Sequence, residues 1–255
     1  MIILEIVILE KLRKGDLPRG LRYLNDLLKD LSSGLHVTHR IIGLTERGLI
    51  KLEISGDDEE AFREIIRRRS GIAPVDFSNL ELSHILRGFI VDSGKVGYGL
   101  YIDIGILTPK PIDGLYPLHS IRAQLIEGQQ LPIREIINKY SFYDDFPLEV
   151  RIAKLEGKVE VELSDRQRES IAEWNDLPFD RVIIYHALPN DLQSAIKSSG
   201  IERDLARVEN LSLTTHLLTC KIGTQAPGIV AKLGPHLKGS RLFSFSPEIW
   251  VRPDA

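Results

Sequence analysis

The apolar positions change period as the chain proceeds. Residues 2–9 form an apolar run of strand length, and Leu21, Leu24, Leu28 and Leu31 then recur on one helical face. Asp16 supplies an N-cap, Pro18 a first-turn proline and Gly34 a stop. Residues 35–42 and 49–54 read as strands joined by a turn over 45–48. A cap and acids over 55–60 open a second helix, whose buried face is Ala61, Phe62, Ile65 and Ile66. Arg67, Arg68 and Arg69 stand near its end, before Gly71. Strand, helix, two strands and helix in this order predict a split β-α-β type α+β unit over residues 1–82.

Strand patterns dominate from residue 83 to 165. Five short strands, over 88–92, 100–104, 114–117, 148–153 and 159–163, are separated by glycine-bearing turns, which suits a small barrel. Residues 166–255 mix the two periods again. A helix spans 165–174, a strand 181–185, and a second helix runs from an Asn190 cap to Gly200. Residues 213–222 form a long strand, Pro227 opens a short helix that ends near Gly234, and 242–245 is a last strand. The predicted fold class is α+β, with a central five-stranded barrel flanked by two small α/β units.

Composition narrows the possibilities. The chain has 255 residues, 43% hydrophobic and 27% charged, which is apolar enough to bury cores and too apolar for a disordered chain. No apolar stretch approaches the ~20 residues that span a bilayer. The first ten residues lack the basic start and small-residue cleavage site of a signal peptide, so the cytoplasm is the expected location and no membrane partner is expected. The single Cys220 rules out an intrachain disulfide and any multi-cysteine metal site. One Met and one Cys beside abundant Arg, Glu and Ile is a bias seen in heat-adapted proteins. The net charge of −3 excludes a strongly basic chain, but residues 211–247 contain no acid and carry Lys221, Lys232, Lys238 and Arg241 with His216 and His236.

One segment carries a family pattern. It contains Arg87-Gly88-Phe89-Ile90-Val91, then Tyr98-Gly99-Leu100-Tyr101-Ile102-Asp103-Ile104-Gly105. Asp113-Gly114-Leu115-Tyr116-Pro117-Leu118-His119-Ser120 follows, and Val159-Glu160-Val161-Glu162-Leu163-Ser164-Asp165-Arg166 closes it. Gly97 and Gly99 permit a tight turn with positive φ, and alternation sets Tyr101 opposite Leu100, Ile102 and Ile104. This segment resembles the S1 domain, an OB-fold RNA-binding module. The resemblance implies that Tyr98 and Tyr101 stack on bases, since they match the family's two stacking aromatics. It differs at Pro117, where many members have a histidine and the nearest here is His119. It also differs at Glu160 and Glu162, on a last strand that is often basic. The three-part layout resembles an uncharacterised protein family conserved in archaea.

Other chemistries find little support. The glycines at 94, 97 and 99 precede a strand, whereas nucleotide-binding glycines precede a helix. The seven histidines form no metal-binding spacing, and Asp103 with Asp144 and Asp145 is more simply a family aspartate and a solvated loop. Cys220 lies in an apolar strand pattern, and no Ser–His–Asp order stands out. The Arg67–Arg69 cluster reads as a complement to a helix C-terminus or as a nucleic-acid contact. The acid-free stretch reads either as a basic surface or as a buried strand and helix.

The expected function is therefore a non-catalytic RNA-binding protein of translation, ribosome function or RNA processing. Its partner is RNA, ribosomal or transfer RNA included, with no cofactor and no metal. Tyr98, Tyr101 and His119 on the barrel, with Lys232, Lys238 and Arg241 in the C-terminal unit, form the expected RNA-binding set. The alternatives are a protein-interaction adaptor, favoured by Glu160 and Glu162, with a partner in the translation or RNA-processing machinery, and an RNA-processing enzyme.

Overall fold

The computed structural model describes residues 3–247; Ile2, at the start of the first predicted strand, and residues 248–255 of the C-terminal unit lie outside them. The N-terminal unit contains β1 (Leu4–Lys11), α1 (Leu17–Leu31), β2 (Val37–Leu44), β3 (Leu49–Gly56) and α2 (Glu59–Ser70). Its sheet has the order β1-β3-β2, with β3 antiparallel to both neighbours, so β1 and β2 run parallel around it as a split β-α-β unit requires. Alternation divides β1 between two cores. Ile6 and Ile8 join Leu24, Leu28, Phe62 and Ile66 under the helices, whereas Val7 and Leu9 pack with Phe89 and Ala73 on the other side. Residues 71–73 then run beside β1, with an antiparallel bridge from Ile72 to Ile8.

The chain enters the barrel through β4 (Val75–Asp76), which pairs in parallel with β6. The barrel strands are β5 (Ile85–Val91), β6 (Gly99–Thr108), β7 (Ile112–Pro117), β8 (Pro147–Lys154) and β9 (Glu160–Leu163). The pairings close as β6-β5-β8-β9-β7-β6, antiparallel except for the parallel contact of β7 with β9. This is an OB-like five-stranded barrel. The long insertion between β7 and β8 folds as α3 (Leu118–Leu125) and α4 (Ile133–Tyr140). Leu100, Ile102 and Ile104 point into the barrel core, as their alternation predicts. Gly97 and Gly99 do not take positive φ. Gly99 is instead held by a close approach, because a Cβ there would lie 2.4 Å from the Tyr116 carbonyl oxygen. The glycines of this region that do take the left-handed conformation are Gly94, at φ +76, and Gly105, at φ +80.

α5 (Asp165–Asp176) is capped by the Ser164 hydroxyl, which accepts from Gln167 N at 3.1 Å. Ile171 and Trp174 of this helix are buried in a cluster shared by the barrel and the C-terminal unit, so the helix packs at the boundary predicted at residue 165. The C-terminal unit follows with β10 (Arg181–Tyr185), α6 (Pro189–Ser199), β11 (Leu205–Asn210), β12 (Thr215–Cys220), α7 (Ala226–Leu233) and β13 (Arg241–Phe245). Its antiparallel sheet has the order β11-β12-β10-β13, a ferredoxin-like β-α-β-β-α-β arrangement. β10 is buried along its whole length. Val182 and Ile184 face the helices, while Ile183 and Tyr185 join the barrel cluster. Both flanking units therefore bury one sheet face under helices and part of the other against the barrel.

Two tests address these seams. Gly105 combines positive φ with a Cβ position 2.5 Å from the Ala73 Cβ. Gly105→Ala is expected to lower unfolding free energy by about 1–3 kcal/mol in urea titrations, and an unchanged midpoint would refute the packing argument. Glu10, buried between the units, has its carboxyl pKa raised from 4.5 by desolvation, a rise that Arg87 opposes. Stability from such a group is present below 4.5 and is lost as pH rises through the raised value. The stability of the wild type minus that of Glu10→Gln should thus fall as pH rises through this window, and a flat difference would contradict it.

Candidate nucleic-acid interface

The outer face of the barrel is divided between a covered and an open part. On β5 and β6, Phe89 and Asp103 stand opposite each other and both are buried beneath the N-terminal unit. Lys11 closes this part: its Nζ lies 3.3 Å from Asp103 and 3.5 Å from Asp145, so an ammonium occupies the place between these carboxylates where a metal would have to sit. Among the described residues no group of three or more His, Cys, Asp or Glu side chains is arranged to hold a metal ion.

The open part holds the two tyrosines. Tyr98 precedes β6 and is 53% exposed, and Tyr101 is half-buried on β6 across from Leu115. Their rings meet edge to face with centroids 6.3 Å apart, and their hydroxyls are 2.7 Å apart. That hydrogen bond, reinforced by partial desolvation, raises the Tyr101 phenol above its ordinary value. The two rings thus form an aromatic platform joined by a hydrogen bond. His119 is exposed on the first turn of α3, beside the point where Leu118 N donates to the Tyr98 carbonyl at 2.8 Å. The structure brings these three predicted residues to one rim of the barrel.

The acids near this rim are partly neutralised. Asp113 accepts from Arg47, and Glu162 pairs with Arg151 at 2.7 Å. Glu160 stands half-buried across from Leu115.

The three C-terminal cations have separate surroundings and are not a cluster of free charges. Lys232, on α7, pairs with Asp204 at 3.2 Å. Arg241 lies over two rings, 5.2 Å from the centroid of Tyr143 and 5.1 Å from that of Phe243. Lys238 is exposed on a cleft of about 780 Å³ between the N- and C-terminal units, with Arg13, Arg19, His186 and His236. In this cleft Arg19 is held by Asp191 at 3.1 Å and Asp16 at 3.6 Å. Burial, reinforced by the charge of Arg13, keeps His186 below the ordinary imidazole value.

The acid-free stretch divides in two: residues 212–218 and Cys220 are core, whereas residues 221–247 are mostly exposed or half-buried. His216 is fully buried, with Nε2 donating to the Ala187 carbonyl at 2.8 Å, and desolvation lowers its pKa. Cys220 is buried in β12, and desolvation pushes its thiol up to about 11, so it stays protonated at neutral pH. Arg67, Arg68 and Arg69 line a groove together with Arg63, Arg87 and Arg166, residues that the sequence pattern does not single out because they lie on three separate elements.

Among the described residues, no helix is long and apolar enough to cross a membrane. No curated protein matches the sequence. Residues 80–175 match the model of the DUF2110 central domain, a span that includes α5 with the barrel. Residues 179–244 match the model of the DUF2110 C-terminal domain. With more than half of its length matched by these two domains, the chain belongs to the uncharacterised DUF2110 family.

Proposed function

We propose that this protein is a non-catalytic RNA-binding factor, built on an S1-type barrel and acting in translation, ribosome function or RNA processing in the archaeal cytoplasm. The observation that carries this reading is the selective exposure of Tyr98 and Tyr101. The N-terminal unit buries the neighbouring aromatic Phe89 and the charged Asp103, but leaves the tyrosine pair open at the barrel rim. Exposed aromatic rings on an OB-type face offer every base a stacking partner, at ~1–3 kcal/mol per base. His119 on the same rim adds a ring nitrogen within the same binding surface. Ribosomal or transfer RNA suits such a site, because their loops present unstacked bases. No reacting group is assigned: Cys220 is buried and protonated, and His216 is committed to its carbonyl partner.

The adaptor reading predicts a different salt response. Binding to total RNA is expected to weaken steeply between about 50 and 200 mM salt, whereas an apolar protein interface would barely respond. Tyr98→Ala/Tyr101→Ala is expected to lower RNA affinity by about tenfold or more at fixed salt while leaving the fold intact, since neither ring belongs to a core cluster. Filter binding of the wild type and this variant measures both effects. Absence of binding by the wild type at low salt would overturn the RNA reading and leave the barrel as a protein-binding scaffold.

A further inference from the structure

An RNA site needs cations for phosphates, and the barrel rim supplies few. Lys95 pairs with Asp92, Arg47 with Asp113, and Arg151 with Glu162. The structure gathers cations elsewhere. A groove of about 760 Å³ is lined by Arg63, Arg67, Arg68, Arg69, Arg87 and Arg166, with no lysine among its lining residues. The arginines come from three elements: four from α2, one from β5 and one from α5. The groove therefore crosses the seam between the N-terminal unit and the barrel, and β11 of the C-terminal unit closes it with Glu209 and Asn210.

The ion pairs within this set leave part of its charge unused. Arg87 is held by Glu10 at 2.9 Å, and Arg67 and Arg68 share Glu64 at 3.7 and 2.9 Å. Arg63, Arg69 and Arg166 form no ion pair within 4.0 Å among the described residues, although the Arg69 charge acts at longer range on Glu10. The two carboxylates that line the groove are already occupied. Glu209 pairs with Arg207 at 3.0 Å, and Glu149 accepts from the Ser164 hydroxyl at 2.6 Å. The Nε of Arg63 is shielded from water and has no hydrogen-bond partner, a cost that a bound acceptor near its guanidinium would offset.

From this geometry we infer that the arginine-lined groove is a phosphate-backbone site, in which several successive phosphates of an RNA strand are held by Arg63, Arg69 and Arg166. The inference rests on the RNA reading above and gives that reading its electrostatic component. Three features select a polyanion over a single small anion. The unpaired cations are spread over α2 and α5 and do not converge on one point. The guanidinium fork grips phosphate oxygens two at a time, which a lysine ammonium cannot do. The rim also carries Ile85, 53% exposed, an apolar surface for a sugar or base beside the charges. A second charged contact area on the same chain makes binding at the tyrosine rim effectively intramolecular, which raises avidity without strengthening either contact.

The test uses the full chain and a labelled mixed-sequence single-stranded RNA, read by fluorescence anisotropy across a salt series. Arg63→Ala/Arg69→Ala/Arg166→Ala is expected to weaken binding at least about tenfold at low salt. It should also reduce the magnitude of the slope of log affinity against log salt by about 2, as the loss of three phosphate contacts on a single strand requires. Arg166→Glu alters a single exposed position away from Glu10 and is expected to show the same direction of change, so the test survives if truncating Arg63 or Arg69 disturbs folding. Arg40→Ala/Arg203→Ala removes two positive charges outside the groove and should leave the slope unchanged. RNA binding by the wild type with an unchanged affinity and slope in both groove variants would overturn the groove while sparing the RNA reading. An equal loss in the Arg40/Arg203 control would also overturn it, since bulk charge would then explain the effect. No binding by the wild type would overturn the RNA reading and the groove with it.

Discussion

Two adjacent charged residues at the end of an apolar strand hold the three parts of this protein in place. Apart from the exposed Glu5, β1 is hydrophobic until Glu10 and Lys11, both of which are buried. Glu10 reaches Arg87 on the barrel at 2.9 Å and accepts from the backbone of Leu213 in the C-terminal unit at 2.7 Å. Lys11 lies between Asp103 and Asp145, on two different parts of the barrel. Removing one member of a buried pair costs about 3–5 kcal/mol, because the other charge is left without a partner. Replacing a whole pair with apolar groups of similar volume is often neutral. The staple therefore adds little net stability but penalises every arrangement in which the units slip relative to one another. An apolar seam alone, such as Val7 and Leu9 against Phe89, would tolerate such slippage.

The staple also decides which part of the barrel faces solvent. By fixing the N-terminal sheet over Phe89, Asp103 and Gly105, it removes the middle of the outer face from any ligand and leaves the Tyr98 rim. A half-covered OB face is a small platform, since two stacked aromatics supply only a few kcal/mol. Useful affinity then depends on a second contact area on the same rigid body. The same docking that covers the barrel creates one, because it sets the end of α2 beside β5 and α5. Loss of binding surface on one side and gain on the other follow from a single interface.

How much of this can be read from the sequence depends on how local the signal is. The barrel is legible because Leu100, Ile102 and Ile104 on β6 alternate with Tyr101 and Asp103, and that period needs no tertiary information. β11 is missed because it is an edge strand with a mostly exposed pattern and no apolar run. The acid-free stretch is only partly legible, because its two readings apply to different parts of it. Burial accounts for the absence of acids only along β12; α7 buries one face and residues 221–247 are mostly exposed or half-buried. Of the expected cations, Lys232 and Arg241 are engaged by Asp204 and by two aromatic rings, partners far away in sequence. The Tyr98–Tyr101 pair is legible because both members lie on one strand and its approach. Arg63, Arg87 and Arg166 are not, since no spacing rule links residues that meet only when three elements dock.

The two flanking units suggest why the arginines lie where they do. In the C-terminal unit a complete fourth strand, β13, covers the open side of β10. In the N-terminal unit the equivalent place beside β1 is taken by residues 71–73 alone, bridged at Ile72. The chain then passes directly into β4 and onto β6. A full fourth strand would carry the chain away from the end of α2 before the barrel began. The short one keeps the last turn of α2 within a few residues of the barrel wall, and Gly71 itself lines the groove. Arginines at a helix C-terminus complement the helix dipole. Here that ordinary preference has a second consequence: the truncated strand presents the same side chains to the seam, where the barrel and α5 add Arg87 and Arg166 and convert a helix-end cluster into a continuous basic groove.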